Sequence, residues 1–410
     1  MIDPYKLRKD FPMYVNKVKM QKSDLVFLDN ASTTFKPQCV LDEIERYYGY
    51  ETSNSHRGDY DLCYNADVKI QKVREKVAKL INAKVNEIVF TTGTTGSINT
   101  IANGYARHFL KKDDEILISI EEHASNSLPW FEAAKTTGAK IKYIELDKEG
   151  RITPENVKKA ITNKTKIVAF AQVSNVLGYI VDVKSISKIV HDVGALLSLD
   201  GAQSVPHLRI DVKDLDVDFL SFSSHKMCGP TGVGVLYAKE ELLEKMSTVF
   251  VGGGNNVTFS PEDNVTYLKA PAKFESGTLN IEGIFGFGAA LDYINSIGLE
   301  NITEYEENLR KYALKRMKEV KDIIIYNETA EAGIITFNIK GIFAQDLGTY
   351  LNSKGIAART GQHCAKMLPL FTGTPATVRV SFYFYTTKED IDKLVDALKT
   401  GGNFLDAYFA

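Results

Sequence analysis

Lys226 closes the apolar run VDFLSFSSHK, beside His225 and ahead of the glycine-containing stretch MCGPTGVGVLY. An amine held between apolar strands loses hydration. Its pKa falls, and it becomes a nucleophile suited to Schiff-base chemistry. The alternative is an ordinary solvated lysine. Asp200 ends the run ALLSLD, where a buried carboxylate is costly unless a cation meets it. It reads either as a cap or salt-bridge partner or as the counter-ion of a protonated ring nitrogen. Gln203, three residues on, is placed to donate to an oxygen of the same ring. His123, in EEHAS, is a structural histidine or a ring that stacks on a planar group and moves protons. The stretch FTTGTTGSIN, residues 90–99, sets a glycine- and threonine-rich turn ahead of a helix. Backbone N–H groups, the helix dipole and hydroxyls there make an anion site. It matches neither GxxxxGK[ST] nor GxGxxG, which disfavours a nucleotide loop. Cys364 sits in the polar stretch RTGQHCAKM with Arg359 and His363, and cationic surroundings stabilise a thiolate. Cys39, Cys63 and Cys228 read as inert core.

An amine, a counter-ion, an anion cup and a stacking ring together describe a pyridoxal 5′-phosphate site. The strings FLDNAST (27–33), HRG (56–58), EEHASN (121–126), VSNVLG (173–178), DGAQSVPH (200–207), SSHKMCGPTGVGVLY (223–237), FESGTLN (274–280) and RTGQHCA (359–365) carry a resemblance along nearly the whole chain. The sequence resembles the class V aminotransferase-like enzymes of fold-type I and, within them, the cysteine desulfurases of the Suf type.

The resemblance implies that Lys226 holds the cofactor covalently, that Asp200 pairs with its ring nitrogen and Gln203 with its phenolic oxygen, and that His123 stacks on the ring and transfers protons. Thr94, Thr95, Ser223 and His225 would bind the phosphate, completed by Thr278 from the second subunit of a homodimer. Asn175 and Arg379 would bind the substrate carboxylate, with Arg359 nearby. Cys364 would take the sulfur of L-cysteine as a persulfide and pass it to a Suf-type acceptor protein for iron–sulfur cluster assembly. The chain departs from many relatives at Gln362, Gly96 and Ala124. A selenocysteine lyase or cysteine sulfinate desulfinase on the same scaffold is the alternative, followed by an aminotransferase or epimerase and a non-catalytic sulfur-relay subunit.

The elements that must position these residues alternate. Apolar runs at 87–93, 115–120, 140–146, 165–173, 195–203, 217–226 and 232–239 are separated by amphipathic stretches at 66–82, 97–110, 126–138, 154–162 and 183–193. Strands apolar on both faces with helices between them predict a mostly parallel seven-stranded sheet. Ligands bind outside the carboxyl ends of such strands, where the residues above cluster. The Gly/Asn/Thr/Pro-rich segment 250–280 reads as a long functional loop. From residue 299 the order of elements changes to a smaller α+β domain. The expected division is an N-terminal segment 1–25 packing with the small domain, a large cofactor-binding domain 26–298, and a C-terminal domain 299–410 carrying Cys364.

The 410 residues, 44% apolar and 25% charged with net charge −2, suit an α/β enzyme with a buried core. They predict no nucleic-acid or membrane surface. No apolar run spans a bilayer, and the N-terminus lacks the apolar core of a secretion signal. Four widely separated cysteines point to a reducing cytoplasm, not a disulfide framework or zinc site.

Overall fold

The protein is described from a computed structural model covering residues 2–55, 58–262 and 264–400; His56 and Arg57 of the HRG string, and residues 401–410 of the expected C-terminal domain, lie outside the described residues. Seven strands form the central sheet: β1 (Ile88–Thr91), β2 (Glu115–Ser119), β3 (Lys140–Ile144), β4 (Thr165–Ala171), β5 (Leu196–Asp200), β6 (Phe219–Ser223) and β7 (Gly234–Ala238). Their order is β1-β7-β6-β5-β4-β2-β3. Only β7 runs antiparallel, against β1 and β6. All seven coincide with the apolar runs in the sequence. The strand period of two sends Leu117 and Val168 into one core and Ile116, Ile118, Ile167 and Ala169 into the other. The exception is the edge strand β3, where only Ile144 is buried.

Helices Asp61–Leu80, Leu128–Thr137, Pro154–Ala160 and Val183–Asp192 fall where the amphipathic stretches predict them, and a further helix spans Ile281–Ile297. The stretch read as one helix over 97–110 is instead the helix Thr94–Ile101, a π-turn at Ala102–Ala106 and a last turn at Arg107–Phe109. The segment 250–280 is not all loop. Asn256–Phe259 and Val265–Tyr267 pair as an antiparallel hairpin. Its residues are almost all exposed, so it carries no buried-face alternation for a sequence reading to detect.

A second sheet contains β8 (Ile323–Ile325), β9 (Ile334–Ile339), β10 (Arg359–Gly361) and β11 (Thr377–Ser381), all antiparallel in the order β8-β9-β11-β10. Ile335, Phe337, Val378 and Val380 form a core with Leu394 of the helix Lys388–Lys399. Val26–Phe27 pairs in parallel with Ile356–Ala357, and Asp29 bridges to Ser381. The chain thus enters beside this second sheet before it builds the first. Ahead of that point, Arg8 pairs with Asp390, while Phe11 packs edge-on against Tyr385 and Tyr293. The N-terminal segment therefore touches both units. Among the described residues no helix is long and apolar enough to cross a membrane.

Candidate active site

A cavity of about 230 Å³ opens at the carboxyl ends of the central strands and under the edge of the second sheet. Its lining includes Thr94, Thr95, His123, Asn175, Asp200, Gln203, Ser223, His225, Lys226, Arg359 and Arg379. Eleven residues expected from the sequence thus meet in one place.

Lys226 ends the tight turn Ser224–Lys226 that follows β6. Burial pushes its amine down to about 8; Asp200 opposes that shift, and Arg379 and Arg359 reinforce it. No hydrogen bond holds its Nζ among the described residues. A second lysine, Lys36, is also pushed down to about 8 by burial, but its Nζ donates to Thr33 Oγ1 at 3.2 Å and to the His225 carbonyl at 3.1 Å. Lys36 is tied beneath the turn, whereas the Lys226 amine is left for chemistry. Asp200 ends β5 and is buried; one oxygen accepts from Ala202 N–H at 2.9 Å. Burial raises its pKa against the pull of Lys226, so a cationic ring nitrogen would be its natural partner. Gln203 donates one amide hydrogen to the Ala31 carbonyl at 2.7 Å, leaving the second for a ligand.

The anion cup lies where β1 turns into the helix Thr94–Ile101. Gly93 makes that turn at φ 143°. A Cβ on Gly234, its neighbour on β7, would come within 2.3 Å of the Gly93 Cα. Two glycines are therefore required where these backbones touch. Thr94 N–H and hydroxyl both meet Ser223 Oγ, at 2.8 and 2.7 Å. His225 Nδ1 lies 3.2 Å from Thr33 Oγ1, and burial, with Lys226 and Lys36, pushes its imidazole down to about 4. His123 is likewise pushed to about 4, by burial first and then by Lys226, Arg359 and Arg379. Its Nδ1 accepts the Ser125 N–H at 3.1 Å. The ring is therefore neutral, with its proton on Nε2.

Arg359 and Arg379 are direct cross-strand partners on β10 and β11. Like charges in that register repel. Asp29 relieves the repulsion: Arg379 donates to its Oδ1 at 2.8 Å, and Arg359 lies 3.8 Å from its Oδ2. Ser32 Oγ accepts from both arginines, at 2.9 and 2.8 Å. Asp29 and Ser32 stand in the quoted string FLDNAST, yet sequence reasoning gave them no role. Arg379 also donates to the Asn175 carbonyl at 2.8 Å, while its Nε is buried without a partner. That orphaned donor awaits an acceptor.

Cys364 is exposed at the rim and does not line the cavity. Its carbonyl accepts from Ala124 N–H at 2.7 Å. The preceding His363 is buried, with Nε2 2.8 Å from Thr377 Oγ1 and its carbonyl bonded by Asn175 Nδ2 at 2.9 Å. Burial pushes this imidazole down to about 3, helped by Arg379 and Arg359. The amide of Asn175 thus anchors the Cys364 turn. Thr278 lies outside the cavity too. It shares with Thr95 a separate depression of about 580 Å³.

The donor set fits pyridoxal 5′-phosphate. An unbonded amine, a buried carboxylate with one oxygen to spare, a neutral ring and a hydroxyl-lined cup are arranged at one cavity. The aminotransferase class-V family model matches residues 26–394. The chain belongs to the class V aminotransferase family. It is 45% identical over 399 residues to a probable cysteine desulfurase of Halalkalibacterium halodurans, covering 97% of this chain and 98% of that one. A probable cysteine desulfurase of Streptomyces coelicolor is 43% identical over 412 residues, covering 98% of each chain. The crystal structure of the Escherichia coli cysteine desulfurase CsdA, in an S-sulfonic acid form, superposes with a TM-score of 0.91 at 35% identity and 99% coverage of both chains. The class V, fold-type I architecture expected from the sequence is the architecture observed.

Proposed function

We propose that this protein is a pyridoxal 5′-phosphate-dependent cysteine desulfurase that converts L-cysteine to L-alanine and captures the sulfur on Cys364 as a persulfide. One observation carries the reading. The turn that bears Cys364 is bonded through its own carbonyl to Ala124 N–H, next to His123 and across the cavity from the unbonded Lys226 amine. The reaction balances without an outside oxidant. The substrate C–S bond breaks, an S–S bond forms on Cys364, and the carbon that loses sulfur gains a proton.

When bound, the cofactor withdraws electrons from the substrate α-carbon. Lys226 anchors it, Asp200 and Gln203 meet its ring, and Thr94, Thr95, Ser223 and His225 hold its phosphate. Arg379 and Arg359 orient the substrate carboxylate, displacing or sharing the role of Asp29 between them. Lys226 Nζ takes the α-proton; an amine brought to about 8 is partly neutral near physiological pH and suited to that task. His123 stacks on the ring and offers its Nε2 proton. Cys364 Sγ attacks the substrate sulfur.

The protein works as a homodimer in which Thr278 completes the partner's cup; its place outside this chain's own cavity supports that reading. The rim position of Cys364 suits transfer to a Suf-type acceptor for iron–sulfur assembly. Four free cysteines fit a reducing cytoplasm. The working division is a cofactor-binding domain over 26–298 and a domain over 299–410 carrying the thiol, with 1–25 packing against both rather than against the latter alone. The test is to add L-cysteine to the purified protein and quantify alanine and the persulfide on Cys364 in equal amounts. Alanine formed without sulfur on Cys364 would overturn the reading.

A further inference from the structure

Ser125 is assigned no part in the chemistry above, yet it makes two contacts that join separate parts of the site. It lies in the short turn Ala124–Asn126 that follows His123. Its backbone N–H donates to His123 Nδ1 at 3.1 Å. Its hydroxyl lies 2.7 Å from Thr95 Oγ1, and it lines the cavity together with Thr94, Thr95, Ser223 and His225.

The hydrogen count of this hydroxyl pair is informative. Ser125 and Thr95 each carry one O–H and two acceptor lone pairs. One hydrogen is used between them, so one O–H is left to donate. The cup already faces a helix N-terminus and the Ser223 hydroxyl, and an anionic oxygen there is the acceptor that this spare donor suits. A hydrogen bond to a charged oxygen is stronger than one to a neutral group. The same residue fixes the tautomer of His123 through its backbone. The hydroxyl that meets an anion and the N–H that holds the imidazole thus belong to one residue of one short turn.

We infer that Ser125 is a phosphate-binding residue of the cup and that it couples occupancy of the phosphate subsite to the setting of His123. This rests on the pyridoxal 5′-phosphate reading, and it concerns a phosphate monoester or inorganic phosphate alike.

The test uses the full-length protein stripped of cofactor, as parent, Ser125→Ala and Ser125→Thr. Inorganic phosphate binding is followed by phosphorus NMR and pyridoxal 5′-phosphate binding by absorbance. Ser125→Ala weakens both by about tenfold, the loss expected for one hydrogen bond to a charged group. Ser125→Thr, which keeps the hydroxyl, restores most of it. Binding of pyridoxal, which has no phosphate, is unchanged by either substitution. In nitrogen-labelled protein, phosphate shifts the His123 ring resonances in the parent and no longer does so in Ser125→Ala. Equal phosphate affinity in parent and Ser125→Ala, or an equal loss for pyridoxal, overturns the inference. A parent that takes up inorganic phosphate but no pyridoxal 5′-phosphate overturns the proposed function instead, and the phosphate arm still decides the role of Ser125.

Discussion

On one side of the cavity, Asp200 and Ser223 end strands buried on almost every residue, and Lys226 follows one tight turn later. On the other side, His363 and Cys364 occupy left-handed backbone, at φ 51° and 61°. That conformation costs an L-residue roughly 1–2 kcal/mol. Three hydrogen bonds offset it: Asn175 to the His363 carbonyl, Ala124 to the Cys364 carbonyl, and His363 to Thr377. Two of the three come from the strand-end side. The first wall is fixed by its own sheet, whereas the second is held in place largely by the first. The difference separates two tasks. Chemistry at the α-carbon needs groups that do not move. Sulfur transfer needs a thiol that reaches both inward to a substrate and outward to an acceptor, and a strained, exposed turn provides that reach.

The sharpest way to break this comparison is to remove one residue from each wall. Lys226→Ala removes the proposed anchor and the proposed base together. Turnover falls by at least about four orders of magnitude, the scale seen when a nucleophile is lost, and the absorbance of covalently held cofactor disappears. Cys364→Ala acts on the other wall alone. It retains that absorbance and still exchanges the α-proton of L-alanine in heavy water, while alanine formation from L-cysteine drops by at least about a hundredfold. If the second variant also stopped exchange, the two walls would not be separable and the division of labour would be wrong. If it kept full activity on selenocysteine, the lyase alternative would gain ground.

Much of the first wall was legible in the sequence because its strands are apolar on both faces and end at polar residues. Lys226, Asp200, His123 and the Thr94–Thr95 turn could be placed by that pattern alone. The second wall is assembled by pairings between distant segments. Asp29 meets Arg379 across 350 positions, and the Arg359–Arg379 pair exists only through the register of β10 on β11. No local periodicity reports either contact. Asp29, Ser32 and Ser125 stood inside recognised strings but carried no signal of their own. The hairpin at 256–267 escaped for another reason: with both faces exposed, it lacks the alternation that marks a half-buried strand.

A smaller effect tests how the second wall handles charge. Arg379→Lys keeps the cation but loses the fork that reaches Asp29, Ser32 and the Asn175 carbonyl at once. The KM for L-cysteine rises about tenfold, equivalent to about 1.4 kcal/mol of binding, with a smaller change in kcat. Arg359→Lys costs less, because Arg359 is 40% exposed against 2% for Arg379, and surface charges contribute little. Equal effects at both positions would show that burial does not rank the two arginines.

The smallest effect concerns what lies behind His123. Glu121 and Glu122 are adjacent and buried. Burial pushes Glu121 up to about 7 and Glu122 up to about 8, and the Glu121 charge adds to the second shift. Ser119 and Asn126 donate to Glu122, each at 2.7 Å, and Asn126 in turn accepts from Trp130 at 3.1 Å. Glu121 Oε2 is buried without a partner. Each carboxyl binds its proton more tightly in the folded chain than in the unfolded one. Between the ordinary carboxylate range and pH about 8, the folded state therefore holds more protons. Stability falls as pH rises through that window, the reverse of a salt-bridged carboxylate. Glu121→Gln replaces a group that must ionise with one that cannot. The apparent Tm should rise by about 2–4 °C at pH 8.5 and by less than about 1 °C at pH 5.5, measured by calorimetry on both proteins. An equal rise at both values would mean that the gain comes from packing, and that the rigidity of the first wall owes nothing to protons held beneath it.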